Sequence, residues 1–109
     1  MAFDEELAGR IRALLGDRVT EEKKVFGGLA FMIGGNMAVA ASSNGGIIVR
    51  VDPAESAELV ATTPAQLMET RGKTMHGWLR LAHEDVPDDA ALAPWVERGA
   101  TYAASLPPK

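Results

Sequence analysis

The chain has 109 residues, which is the size of one ordinary domain and is enough to bury a core without disulfides. It contains no cysteine, and this excludes disulfide scaffolds, thiolate chemistry and cysteine-ligated zinc. The formal net charge of −4 argues against a free-standing nucleic-acid binder, which usually has a basic face. We therefore expect residues 1–109 to form a single domain.

The N-terminal sequence does not have the pattern of an export signal. Residues Met1 to Glu6 are acidic where a signal peptide would be basic and then apolar. Elsewhere, no apolar run approaches the roughly 20 residues that are needed to cross a bilayer. These observations predict a cytoplasmic protein that does not bind membranes.

The first half of the chain changes from a helical to a strand-like pattern. From Asp4 to about Leu15, apolar residues recur at spacings of three and four, which predicts an amphipathic helix. From Glu22 to Asp52 they alternate or run in short blocks, and Gly34-Gly35-Asn36 and Asn44-Gly45-Gly46 separate the later blocks. Such turn residues between short apolar blocks predict an antiparallel meander.

A pair of glycines, Gly27-Gly28, interrupts the first part of this meander. Paired glycines within a strand pattern indicate a bulge or a sharp bend. The segment from Lys23 to Ile33 is therefore either one kinked strand or two short strands.

The second half predicts a helix, two strands and a helix. Asp52 and Pro53 are a typical helix start, and this helix reaches about Ala61. Strands follow over Gln66 to Thr70 and Met75 to His83. A short turn over Asp88 to Leu92 comes next, and the last helix is placed from about Ala93 to Ser105, because Pro94 is awkward deep in a helix but suits its first turn. The expected fold class is α+β, in the order α-β-β-β-α-β-β-α, with helices packed on a curved antiparallel sheet.

No motif in the sequence indicates catalysis, a cofactor or a metal. The glycine pairs lack both the phosphate-loop and the dinucleotide spacing, and they lead into no helix. His76 and His83 would lie about 23 Å apart in one extended strand, too far to share an ion. Ser42 and Ser43 adjoin a turn and have no evident base. We therefore predict no catalytic residue, no cofactor and no metal site, and a role that is more consistent with a non-enzyme.

Two basic clusters and one tryptophan remain as candidates for binding. Lys23 and Lys24 precede the glycine bend, and Arg71 and Lys73 flank the turn before Met75. They form one patch if the later strand packs near the bend; alternatively, they are solvated residues that protect the sheet edges. Trp78 either covers the sheet beneath a helix or is an exposed contact residue, whereas Trp95 is predicted to lie in the core.

Three segments resemble a known family over nearly the whole chain. They are Lys23-Lys24-Val25-Phe26-Gly27-Gly28-Leu29-Ala30-Phe31-Met32, Arg71-Gly72-Lys73-Thr74-Met75-His76-Gly77-Trp78, and the closing Trp95 to Leu106 helix with its Pro-Pro-Lys end. This combination resembles the N-terminal domain of the TfoX/Sxy family, in which methionine often occurs in place of Val25. The resemblance implies a stand-alone copy of that domain, without the family's C-terminal domain.

The resemblance also implies a fold and a role. The implied fold is that of type III secretion chaperones, with one kinked strand across Gly27-Gly28. Full-length members of the family regulate natural competence as co-activators of transcription. Some stand-alone members have an RNA methyltransferase label, although this sequence has no glycine-rich strand-to-helix loop for a methyl donor.

Three hypotheses of function follow. The first is a non-enzymatic regulatory or protein-interaction module that binds a protein partner or a second copy of itself. The second is a nucleic-acid-associated protein that uses Lys23, Lys24, Arg71 and Lys73. The third is a small-molecule-binding protein or enzyme, with a pocket between the concave sheet and a helix near Trp78 and His76. The candidate interaction surface comprises Lys23, Lys24, Phe26, Gly27, Gly28, Arg71, Lys73, His76 and Trp78.

Overall fold

The computed structural model describes residues 3–25, 27–43, 45–70 and 72–108. Within these residues there are three α-helices, α1 (Glu5–Leu15), α2 (Pro53–Thr62) and α3 (Asp89–Ser105). There are also six strands, β1 (Glu21–Val25), β2 (Gly28–Ile33), β3 (Asn36–Ala41), β4 (Ile47–Arg50), β5 (Gln66–Thr70) and β6 (Lys73–Leu81). None of the described helices has the length and apolar character of a transmembrane span.

The six strands form one antiparallel sheet in the order β1-β2-β3-β4-β6-β5, and the helices pack on one of its faces. α3 lies across β3 and β4, α2 lies against β6, and α1 lies beside α3. Side chains from the sheet and from all three helices form one buried cluster that includes Phe31, Val49, Leu79, Ile11, Leu59 and Val96. The α+β class, with helices packed on a curved sheet, is thereby confirmed.

Two irregularities bend the sheet. The pairing shifts between Phe31 and Met32 in β2, and again between Leu67 and Met68 in β5. On β6 the residues opposite the second shift include Gly77. Its φ of 89° is a value that glycine adopts readily and other residues rarely do. Such bulges increase local twist and curvature, so they let the sheet curl around its free face.

Gly27 lies in a turn and Gly28 begins β2, so the alternative of two short strands is confirmed and the single kinked strand implied by the resemblance is wrong. Val25 pairs with Gly28, so β1 and β2 form a tight antiparallel hairpin. Gly27 has a φ of 77°, as tight hairpin turns require. β1 lacks the alternation of a half-buried strand because it is a sheet edge, with all residues but Val25 exposed. The order of elements becomes α-β-β-β-β-α-β-β-α.

The last helix begins earlier than the proline predicted. It starts at Asp89, and the Asp88 carboxylate caps it by accepting a hydrogen bond of 2.9 Å from the amide of Ala91. Pro94 lies within the helix on its exposed side. The helix continues through this position because the cap holds its start and because Leu92 and Val96, on either side of the proline, are fully buried.

Candidate functional site

The sheet face opposite the helices contains an apolar groove with a cavity volume of about 400 Å³. Its lining includes Val25 from β1 and Met68 from β5, which are the two edge strands. In a flat sheet these edges would be five strand spacings, about 24 Å, apart. The sheet must therefore curve around the groove, and this face is concave. We call it the groove face.

Strand alternation determines which side chains face the groove. On β4, Ile47 and Val49 are fully buried in the core beneath the helices, whereas Ile48 between them is half-buried and lines the groove. The groove lining combines the small residues Gly28 and Ala40 with larger side chains such as Ile48. The short residues leave room for the hollow between the longer side chains.

Methionines form much of the groove. Met37, Met68 and Met75 line it, together with Ile48 and Trp78, and all five side chains are half-buried. Met68 and Met75 are a cross-strand pair. Methionine is flexible and polarisable, and it is over-used at protein surfaces that accept varied partners. The groove is thus an adaptable apolar surface.

A larger concavity, of about 480 Å³, lies at the end of β5 and β6, but its chemistry is different. Its lining includes Gln66, Arg80, His83, Glu84 and Asp85. Asp85 already accepts a hydrogen bond of 3.1 Å from the amide of Ala82. Polar side chains at the surface are ordinary, whereas an uncovered apolar groove is not, so we take the groove as the candidate site.

The groove face carries positive charge although the whole chain is negative, at −4. Register and alternation place Lys23 and Lys73 on this face, since they share the side of Val25 and of Met75. The register directs Arg50, opposite Trp78, and Arg80, opposite Ile48, to the same face. Arg50 is the last residue of β4, and its guanidinium also reaches Tyr102 of α3, so it lies at the rim of the groove face. Glu21 is the only acidic side chain that the register places there among the described strand residues.

On the helix side of the molecule, arginines are paired with carboxylates of the same chain. Four of them form ion pairs with carboxylates, namely Arg10 with Asp89, Arg12 with Glu22, Arg18 with Glu97 and Arg98 with Glu55. Hydrogen bonds from Arg12 lower the pKa of Glu22, and those from Arg18 lower the pKa of Glu97. These pairs tie the helices to one another and to β1.

Arg50 contacts aromatic rings, whereas the arginines of the helix side pair with carboxylates. Its guanidinium carbon lies 5.0 Å from the centroid of the Trp78 ring and 5.8 Å from that of the Tyr102 ring. Both distances are in the range of cation–π attraction. Arg50 forms no ion pair within the described residues, and Arg80 donates a hydrogen bond of 3.1 Å to the neutral side chain of Gln66. Among the described strand residues, Glu21 is the one carboxylate on this face, so most of the positive charge of the groove face is not matched there.

The structure brings together part of the surface expected from the sequence. Gly28 and Trp78 line the groove, and Lys23 and Lys73 lie on its face. Lys24 is paired with the core residue Leu29, so alternation directs it to the opposite side from Lys23. The Lys23-Lys24 cluster is thus divided between the two faces.

The remaining expected residues do not line the groove. Gly27 is in the hairpin turn, and His76 is exposed in the irregular part of β6. Phe26 and Arg71 lie outside the described residues. Within the described chain, no group of three or more histidines and carboxylates could hold a metal.

Two placements differ from the sequence-based expectations. The pocket was expected between the sheet and a helix, but it lies on the face that the described helices leave uncovered. Trp95 was expected in the core, and it packs against the core while remaining partly exposed. The expected residues also omitted Met37, Met68 and Met75, for which the alternation of residues within each strand was the available signal.

Comparison with known proteins adds one match. A family model described as the TfoX N-terminal domain matches residues 14–103. This span covers most of the chain, from the end of α1 into α3, and it includes all six described strands and the groove. No curated protein matches the chain.

Proposed function

The chain belongs to the TfoX N-terminal domain family, and we propose that it is a non-enzymatic interaction module that binds a protein partner through its groove face. Family membership supports a domain of the competence or regulatory type. One observation carries the finer proposal: the described helices complete the core on one face of the sheet, and within the described residues they leave an apolar groove uncovered on the other.

The composition of the groove favours protein binding. Continuous apolar patches on soluble domains commonly mark interaction sites. Trp78 is a half-buried tryptophan at the groove, and the neighbouring Arg50 is stacked on it. Tryptophan and arginine are enriched among the residues that contribute most to protein–protein affinity. The methionines around them supply a surface that adapts its shape to a partner.

The groove lining does not favour a chemical step. It is made of thioether, aliphatic and indole groups, with the hydroxyl groups of Ser42 and Ser43 at one end. Acid–base or nucleophilic chemistry relies on a base within hydrogen-bond reach of the reacting group. Binding by shape and apolar contact uses the groups that are present.

Site-specific photo-cross-linking tests this proposal. A benzophenone side chain is introduced at Met68 in the groove or at Met37 on the opposite side of it, in cells that express the protein natively. The matched control is Ala13, an exposed position on α1. Thermal unfolding of each variant shows that the fold is intact before cross-links are compared.

We expect the same discrete polypeptide adduct from positions 37 and 68, and not from position 13. The adduct arises because a partner seated in the groove touches both positions. Identical products from all three positions, or no adduct from the groove positions, would contradict the proposal. An adduct of twice the chain mass would identify the partner as a second copy.

A further inference from the structure

The distribution of charge indicates what kind of partner the groove face accepts. Arg10, Arg12, Arg18 and Arg98 are paired with carboxylates on the helix side. On the groove face Lys23, Arg50 and Lys73 have no ion pair within the described residues, and Glu21 is the only acidic side chain that the described register places there. A surface that keeps positive charge in a chain of net charge −4 is complementary to an anionic partner.

Arg50 is the basic residue of this surface whose position is restricted by neighbouring aromatic rings. Its guanidinium carbon lies 5.0 Å from the Trp78 ring and 5.8 Å from the Tyr102 ring, and attraction to both rings restricts the guanidinium. An arginine that is already fixed loses less side-chain entropy when it binds a carboxylate, and its planar fork suits two parallel hydrogen bonds. Because Trp78 also lines the groove, the charged group and the apolar hollow adjoin.

The size of the groove limits what can enter it. A cavity of about 400 Å³ is in the lower part of the range for ligand pockets. It accommodates a few apolar side chains of a partner segment. A peptide that presents apolar residues at helical spacing, with carboxylates along its flanks, matches both the hollow and its charged surroundings.

We infer that the groove binds an acidic amphipathic segment of a partner protein. Its apolar side chains pack against Met37, Met68 and Met75, and a carboxylate pairs with Arg50 beside Trp78. Lys23 and Lys73 attract the flanking acidic residues. This inference rests on the proposed function and adds the chemistry of the partner.

Two other occupants fit the observations less well. A second copy that docked face to face would place Lys23, Arg50 and Lys73 against the same positive charges of its partner. Single-stranded nucleic acid is held by stacking of bases on several aromatic side chains, whereas the described groove lining has one aromatic residue, Trp78. The aliphatic and thioether lining suits the apolar side chains of a peptide.

A peptide selection with the whole chain tests the inference. A display library of random 16-residue peptides is selected on the wild-type protein, and enriched peptides are synthesised with a fluorescent label. Their affinities, and that of a labelled 20-nucleotide single-stranded DNA, are measured by anisotropy at low and high salt. We expect the enriched peptides to be acidic with apolar residues at spacings of three and four.

Substitutions identify the face that binds. Arg50→Gln is expected to weaken peptide binding about tenfold or more. The double variant Lys23→Gln/Lys73→Gln, which changes exposed residues, is expected to weaken it about threefold or more. The matched control Lys24→Gln/Arg98→Gln removes the same charge from the helix side and is expected to leave the affinity unchanged. If Arg50→Gln destabilises the fold, the Lys23→Gln/Lys73→Gln variant still tests the inference, because it changes only exposed residues.

Several results would overturn the inference. These are enrichment of basic or neutral peptides, no enrichment at all, tighter binding of the DNA than of the peptides, or equal effects of the two double variants. A failure here combined with groove-specific cross-links to another protein would leave the proposed function standing. If no peptide is enriched and the groove positions also give no specific cross-link, both the inference and the proposed function are contradicted.

Discussion

Two helical glycines, Gly9 in α1 and Gly99 in α3, differ in what surrounds them. A Cβ added at Gly9 would have no neighbour within 4 Å. A Cβ added at Gly99 would collide with the carbonyl oxygen of Ala38 and lie 3.2 Å from Cγ1 of Val49. The missing side chain at position 99 therefore sets how closely α3 approaches β3 and β4, and with it the placement of the core.

Alanine at these two positions separates helix propensity from packing. Gly9→Ala is expected to stabilise the protein by about 0.5–1 kcal/mol, because alanine loses less backbone entropy in a helix. Gly99→Ala has the same propensity gain but is expected to destabilise by about 1–3 kcal/mol, because the sheet must move. Urea unfolding of both variants measures the difference. Stabilisation by Gly99→Ala would show that α3 does not lie against β3 as described.

The ion pair between Arg12 and Glu22 makes stability depend on pH. Its hydrogen bonds lower the pKa of Glu22 in the folded state relative to the unfolded state. The pair therefore contributes fully above the unfolded-state pKa, which is about 4.3 for glutamate. Its contribution is lost as the pH falls through the lower, folded-state pKa.

Glu22→Gln is expected to lower the free energy of unfolding at pH 7 by less than about 1 kcal/mol, since the pair is largely exposed. The difference from wild type should vanish as the pH falls below the folded-state pKa, because protonated glutamate then resembles glutamine. Urea unfolding at pH 7 and at acidic pH measures it, with Glu21→Gln as the neighbouring control. A difference that grows on acidification would contradict the assignment.

At the scale of elements, α3 shows how a local rule was overridden. Pro94 predicted a helix start at about Ala93, yet the helix runs from Asp89 and is capped by Asp88. Burial of Leu92 and Val96 on both sides of the proline supplies tertiary stabilisation that the local rule does not include. The choice between one kinked strand and two short strands at Gly27-Gly28 was left open for a related reason, since an exposed edge strand has no alternating pattern.

Asp88→Ala tests where α3 begins. Loss of the cap is expected to cost about 1 kcal/mol of stability, because the amide of Ala91 loses its acceptor. The control Glu84→Ala removes an exposed carboxylate from the preceding turn and is expected to be nearly neutral. Circular dichroism during urea unfolding measures both. A neutral Asp88→Ala would place the helix start further along the chain, at the proline.

At the scale of the whole molecule, the sheet has a core on one face and a groove on the other. Alternation along β4 requires that Ile47 and Ile48 face opposite ways, but it does not determine which face the helices cover. The groove was not predictable in the same way, because Met37, Met68 and Trp78 come from separate strands whose order in the sheet is a tertiary property. The nine expected surface residues included Gly28, Trp78, Lys23 and Lys73 of this face and none of its methionines.

Adjacent isoleucines of β4 test the one-sided core. Ile47→Ala is expected to cost about 2–5 kcal/mol, because its side chain is fully buried among the helices. Ile48→Ala is expected to cost about 1 kcal/mol, because its side chain is half-buried in the open groove. Urea unfolding measures both losses. Equal losses would mean that another part of the chain covers the groove.

The central claim, that the groove face binds a protein partner, is tested most directly by methyl NMR. The protein is labelled with ¹³C in its methionine and alanine methyl groups, and its spectrum in buffer is compared with that in an extract of cells that express it natively. The claim predicts selective shifts or broadening of Met37, Met68 and Met75, while Ala13 on the exposed side of α1 is unchanged. Unchanged methionine signals, or changes at Ala13 without changes in the groove, would contradict it.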